Sequence, residues 1–283
     1  MTTRRDFLSS AAALAGLLAA ARRLGATPLG LPIGCQTWPV RKLIAADFPA
    51  TLARLKRAGF QAIELCSPAG YADNGFAGLA RYQPARLRRM IADAGLVCIS
   101  SHFTMQELRA SQEARLAWAH ELGLRQMLVP SLEGPPHPRL DQVRRLADEY
   151  NRMGERAARA GIQQGLHNER FEDAWAAGHR RVYDLLFRYL DPRLVKFQFQ
   201  IVAIRDGLDP LRYLRRYPGR FISLHLQGWS AKTRSEVALG SPADSLPWPR
   251  IFAAARAAGV QNYFLEMSLP LMEASLPYLR RLH

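Results

Sequence analysis

The stretch Arg156-Ala157-Ala158-Arg159-Ala160-Gly161-Ile162-Gln163-Gln164-Gly165-Leu166-His167-Asn168-Glu169 decides the fold. Its first part ends a long helical pattern, Leu140–Ala160, with charged residues on one face. Gly161 then supplies the left-handed conformation that closes a helix at no Cβ cost. A short run, Ile162–Leu166, follows at once and is too brief for a helix, so it reads as a buried strand. Polar residues, His167 and Glu169, stand where that strand ends.

The same helix–Gly–strand joint recurs along the chain. It appears at Ala58-Gly59-Phe60, Ala94-Gly95-Leu96, Leu122-Gly123-Leu124, Pro218-Gly219-Arg220 and Ala258-Gly259-Val260, with Asp191-Pro192 as a further break. The strands that follow are Ala62–Leu65, Val97–Ser101, Met127–Val129, Leu194–Phe199, Phe221–Leu226 and Tyr263–Glu266, with Ile33–Gln36 in front. Helical patterns lie at Phe48–Ala58, Pro84–Ala94, Gln112–Leu122, Ala176–Leu190, Pro210–Arg216, Trp248–Ala258 and Leu271–Leu282. Strict alternation of this kind predicts a parallel sheet, and eight units predict one (β/α)8 TIM barrel over residues 27–283. No Gly-rich phosphate loop follows any strand, which weighs against an open nucleotide-binding sheet.

Residues 1–26 read differently. Arg4-Arg5 precede an apolar, small-residue run from Ala11 to Ala21, the pattern of a twin-arginine (Tat) export signal. The run is shorter than the roughly 20 residues that span a bilayer, and no later stretch is apolar enough to do so. The expectation is an exported, periplasmic protein, the plainer alternative being an amphipathic helix. Three cysteines, Cys35, Cys66 and Cys98, cannot form a disulfide framework and read as small buried side chains, with Cys66 nearest a strand end. The formal charge is +15 over 283 residues. Its arginines are dispersed over helix faces rather than gathered on one, so no nucleic-acid partner is expected.

In a parallel barrel the chemistry sits at the strand C-termini. Those positions hold Gln36, Glu64, His102, His167 with Glu169, Gln198 with Gln200, His225 and Glu266. Residues i and i+2 share a side of a strand, so His167 and Glu169 should point together. Two carboxylates and an imidazole, Glu169, Glu266 and His225, suit Mn, Zn or Mg. Each taken singly reads better as a hydrogen-bonded structural residue; their joint placement at strand ends is what points to a site.

From about residue 30 onward the chain resembles the xylose-isomerase-like TIM-barrel superfamily, in its sugar phosphate isomerase/epimerase-like branch. The resemblance rests on Gly34-Cys35-Gln36, Ile63-Glu64-Leu65, Ser101-His102-Phe103, His167-Asn168, Tyr217-Pro218-Gly219-Arg220, His225-Leu226 and Tyr263-Phe264-Leu265-Glu266. It implies a divalent metal (Mn, Zn, Co or Mg) held by Glu169, Gln200, His225 and Glu266. It also implies proton transfer by Glu169 and Glu266, with Gln36, Glu64, His102, His167, Gln198 and Gln227 binding a small carbohydrate. The departures are Glu169 for a His, Gln200 for the Asp ligand, Gln198 for a Glu, and Gln227-Gly228 for Lys-Asp. A neutral amide is a poorer ligand for a hard cation than a carboxylate. Three readings therefore stay open: a metal-assisted sugar isomerase or epimerase, a lyase acting on oxidised glycosides, and a metal-free or catalytically degenerate carbohydrate-binding barrel. Trp38, Trp175 and Trp229, near loop ends, are candidates to stack on a sugar ring. A three-metal DNA-repair site would need more His and Asp than the seven His present allow.

Overall fold

In a computed structural model that describes residues 27–176 and 179–282, eight parallel strands close into a barrel. They are β1 (Ile33–Gln36), β2 (Ala62–Cys66), β3 (Val97–His102), β4 (Gln126–Val129), β5 (Gln163–His167), β6 (Val195–Gln200), β7 (Phe221–Leu226) and β8 (Asn262–Leu265). Each pairs with its successor, and β8 returns to β1 through Ile33–Tyr263, Gly34–Phe264 and Cys35–Leu265. The expected leader at 1–26 lies outside the described residues.

The covering helices are α1 (Phe48–Ala58), α2 (Pro84–Asp93), α3 (Met105–Leu122), α4 (Leu140–Arg159), α5 (Val182–Tyr189), α6 (Pro210–Arg216), α7 (Trp248–Ala258) and α8 (Leu269–Arg281). Two depart from the sequence reading. α3 is broken at Ser111 (φ −161°, ψ 63°), so the expected Gln112–Leu122 helix forms as its second part, and a further segment from Met105 precedes it because Thr104 and Glu107 form a capping box that satisfies two terminal backbone N–H groups. α5 starts at Val182 rather than Ala176, because Trp175–Ala176 and Arg180–Arg181 pair as a small antiparallel ribbon. A second ribbon, Gly228–Ser230 with Ser235–Val237, extends β7.

Apolar helix faces pack against the strands; Phe187 of α5 stacks on Phe197 of β6 at 4.0 Å between ring centres. The barrel interior, by contrast, is polar. Glu64, His102, Gln126, Gln198, Ser223, His225 and Asn262 are all buried. Such groups are costly unless paired, and most are: Asn262 Nδ2 donates to Gln126 Oε1 at 2.7 Å, and Gln198 Nε2 donates to Ser223 Oγ at 2.8 Å. Among the described residues no helix is long and apolar enough to cross a membrane.

Candidate active site

The lower layer of the site is a hydrogen-bonded set around Glu64, carried by β2 into the barrel. Ser100 Oγ donates to Glu64 Oε1 at 2.6 Å, and Gln198 Nε2 donates to the same oxygen at 3.0 Å. Glu64 Oε2 meets His225 Nε2 at 2.6 Å and His102 Nε2 at 3.3 Å. Gln198 also binds His102 Nε2 through its carbonyl at 2.8 Å, so one amide bridges two strands. Burial alone would raise the Glu64 pKa; the His102 and His225 imidazoles outweigh it and hold the carboxyl well below the usual range.

His225 links this layer to the next. Its Nδ1 meets Glu266 Oε2 at 2.9 Å. Burial disfavours its protonation, but Glu266 and Glu64 prevail and push its pKa up to about 10. Glu266 Oε2 also accepts from Gln227 Nε2 at 3.0 Å and from Gln200 Nε2 at 3.3 Å. Gln200 is itself fixed by its backbone N–H, which donates to Asn168 Oδ1 at 2.8 Å.

Above these residues opens a cavity of about 430 Å³, within the size range of small-molecule sites. Gln36, His102, Glu169, Gln200 and Glu266 all line it, with Trp38, Cys66, Tyr71, Thr104, Arg170, Asp173 and Arg205. Glu64, His167, Gln198 and His225 lie beneath, and Gln227 lines an adjoining recess that shares Trp38, Glu169, Gln200 and Glu266. Burial, then the neighbouring Glu266 charge, raises the Glu169 pKa above the usual carboxylate range. Gln36 accepts from the Trp38 backbone N–H through its carbonyl, so its amide shapes the wall.

His167 is completely buried, and neither ring nitrogen makes a well-formed hydrogen bond, although the Gln198 main chain lies against the ring. Burial, then the His225 and His102 charges, lowers its pKa well below the usual imidazole value. Two sets of donor atoms lie within 4.8 Å of one another: Glu64, His102 and His225, and His167, His225 and Glu266. Glu169 belongs to neither set.

Of the aromatic candidates, Trp38 lines the cavity and packs edge-on against Tyr71 at 5.9 Å. Trp175 sits on the ribbon before α5 and is 55% exposed. The sequence reading passed over Tyr71, Asp173 and Arg205. They lie in loops after β2, β5 and β6, where no periodic pattern marks them. The Cys66 thiol also lines the cavity, and burial pushes its pKa well up, so it is a poor thiolate source.

The fold has clear structural counterparts: the neighbours include xylose isomerase-like TIM barrels and sugar phosphate isomerases/epimerases. A sugar phosphate isomerase/epimerase from Parabacteroides distasonis matches with 25% identity and a TM-score of 0.74, over 88% of this chain and 93% of that one. A second from the same organism matches at 21% and 0.73, over 87% and 96%. D-psicose 3-epimerase from Clostridium cellulolyticum, at 12% identity and a TM-score of 0.64 over 89% and 99%, shares the fold. No family model and no curated protein matches the sequence.

Proposed function

We propose that this chain is a carbohydrate-directed enzyme of isomerase or epimerase type, which moves a proton on a carbon next to a sugar carbonyl. The observation that carries the reading is Glu169. It is a cavity-lining carboxylate whose pKa is raised by burial and by Glu266, toward the range where a general base works best. Glu266 faces the same cavity and is held in one orientation by His225, Gln227 and Gln200. Trp38 and Tyr71 offer an apolar wall for a sugar ring. The sugar isomerases and epimerases among the structural neighbours support a carbohydrate as the ligand.

A divalent cation fits the donor chemistry, with His225 and Glu266 as ligands; when bound it supplies Lewis-acid polarisation of a sugar oxygen. The residues of the chain do the rest. Glu169 takes the proton, His102 and Gln200 present polar groups to hydroxyls, and the buried Glu64 layer keeps His225 in place. Export by the twin-arginine route belongs to the same proposal and rests on Arg4-Arg5 and Ala11–Ala21.

The test is carbon-bound hydrogen exchange. The full chain is incubated in D2O with a panel of ketoses and of 3-keto-glycosides and followed by proton NMR. We expect exchange at the carbon beside the carbonyl, reduced about 100-fold or more in Glu169→Gln. Release of the aglycone from a keto-glycoside assigns the lyase reading. Sugar binding with no exchange in the wild type assigns the binding-barrel reading, which the crowding of three donors on Glu266 Oε2 favours.

A further inference from the structure

The resemblance implies a cation held by Glu169, Gln200, His225 and Glu266, but the side chains converge differently. We infer that the β5 ligand is His167 and not Glu169. With His225 and Glu266 it makes a site of two imidazoles and one carboxylate that selects Zn2+ or Co2+ over Mg2+ and Mn2+. The inference rests on the preceding reading only in placing a cation at this cavity.

Four observations carry it. The donor atoms of His167, His225 and Glu266 all lie within 4.8 Å of one another, and among the described residues no such group includes Glu169. His167 is fully buried with both ring nitrogens lacking a well-formed hydrogen bond. A buried imidazole without a well-formed hydrogen bond carries an uncompensated desolvation cost, which a ligand at its ring nitrogen would offset. His225 has the support expected of a metal-bound imidazole: its Nε2 is backed by Glu64 Oε2 at 2.6 Å, which leaves Nδ1 facing Glu266. Gln200 and Gln227 both turn amide nitrogens toward Glu266, the arrangement of groups that steady a ligand rather than join it.

The other donor group, Glu64 with His102 and His225, is closed by comparison. Both Glu64 oxygens already accept hydrogen bonds, from Ser100 and Gln198 on one side and His225 on the other. The His167 site keeps room for more ligands, because the cavity reaches Glu266 from above. Three protein ligands with an open position is the pattern of a catalytic zinc site. Imidazole nitrogens suit zinc and cobalt, whereas Mg2+ prefers an all-oxygen shell. The exchange of ligands also leaves Glu169 off the cation, so that its carboxylate keeps its full basicity.

The test is metal binding, read apart from activity. Full-length protein stripped with a chelator is titrated separately with Zn2+, Co2+, Mn2+ and Mg2+ by calorimetry. We expect one Zn2+ or Co2+ per chain, bound at least about tenfold more tightly than Mn2+. His167→Phe should weaken Zn2+ about 100-fold or more, while Glu169→Gln stays within about threefold of the wild type. X-ray absorption on the Zn2+-loaded wild type should count two imidazoles, a readout that stands even where His167→Phe fails to fold. Loss of the metal in Glu169→Gln with retention in His167→Phe overturns the assignment, as does a shell with one imidazole or no stoichiometric metal. Proton exchange by a protein that binds no stoichiometric metal would sink this inference and spare the proposed function. A two-imidazole site without exchange would do the reverse.

Discussion

His225 is the residue through which both layers of the site communicate. In the metal-free protein its ring lies between two carboxylates, and its pKa is pushed up to about 10, against an ordinary value near 6.5. The sign of the linkage follows. Protonation is worth more in the folded chain, so this stabilisation is fully present below pH of about 6.5. It is lost as the pH rises through the folded value of about 10. We expect chelator-treated protein to lose denaturation midpoint between pH 6.5 and 10, and His225→Phe to flatten that dependence. Equal slopes for the two proteins would show that the ring is not held as an imidazolium. Cation binding at Nδ1 must displace its proton, so affinity for Zn2+ should rise with pH in the same range.

Elements were legible where one residue type fixes their ends. Gly59, Gly123 and Gly259 close α1, α3 and α7 in the left-handed region, as the repeated joint implied. The periodicity reading found the second part of α3, from Gln112 past the break at Ser111, and left out the first, although Thr104-Met105-Gln106-Glu107 carries an equally readable signal. The ribbon before α5 had no comparable mark, because Trp175 and Arg180 are compatible with a helix until the two segments pair. The Thr104 cap yields a measurable effect. Glu107 N–H donates to Thr104 Oγ1 at 3.1 Å, and Glu107 in turn accepts from the Thr104 N–H at 2.8 Å and from Ser67 Oγ at 2.7 Å. Thr104→Ala removes one of these bonds and should cost about 1 kcal/mol. In a chain of this size that lowers the melting temperature by about 2–4 °C. An unchanged melting temperature would mean that the Glu107 half of the box holds the helix end alone.

At the scale of the whole molecule, the site is a product of closure. Glu64 and His225 are 161 residues apart in sequence and meet only because the ring of strands brings β2 and β7 across its interior. The sequence could therefore place both at strand ends, yet not pair them, and it could not tell that Glu169 would stand apart from the His167 cluster. The seam that completes the ring is β1 against β8, and Gly34 sits at its tightest point. A Cβ there would lie 2.3 Å from the Phe264 ring and 2.7 Å from the Tyr263 carbonyl, too close for either to remain where it is. Phe264 is the register partner of Gly34 and precedes Glu266 by two residues, so relief of the clash must move the strand that aims Glu266. Gly34→Ala should cost about 1–3 kcal/mol, read as a lower urea midpoint at unchanged slope. It should also weaken whatever binds at Glu266. Gly78→Ala is the control: nothing lies within 4 Å of its added methyl group, and its effect should stay within about 0.5 kcal/mol. If both variants unfold at the wild-type midpoint, the seam has slack. The position of Glu266 would then be set by its hydrogen bonds to His225, Gln227 and Gln200 rather than by closure of the barrel.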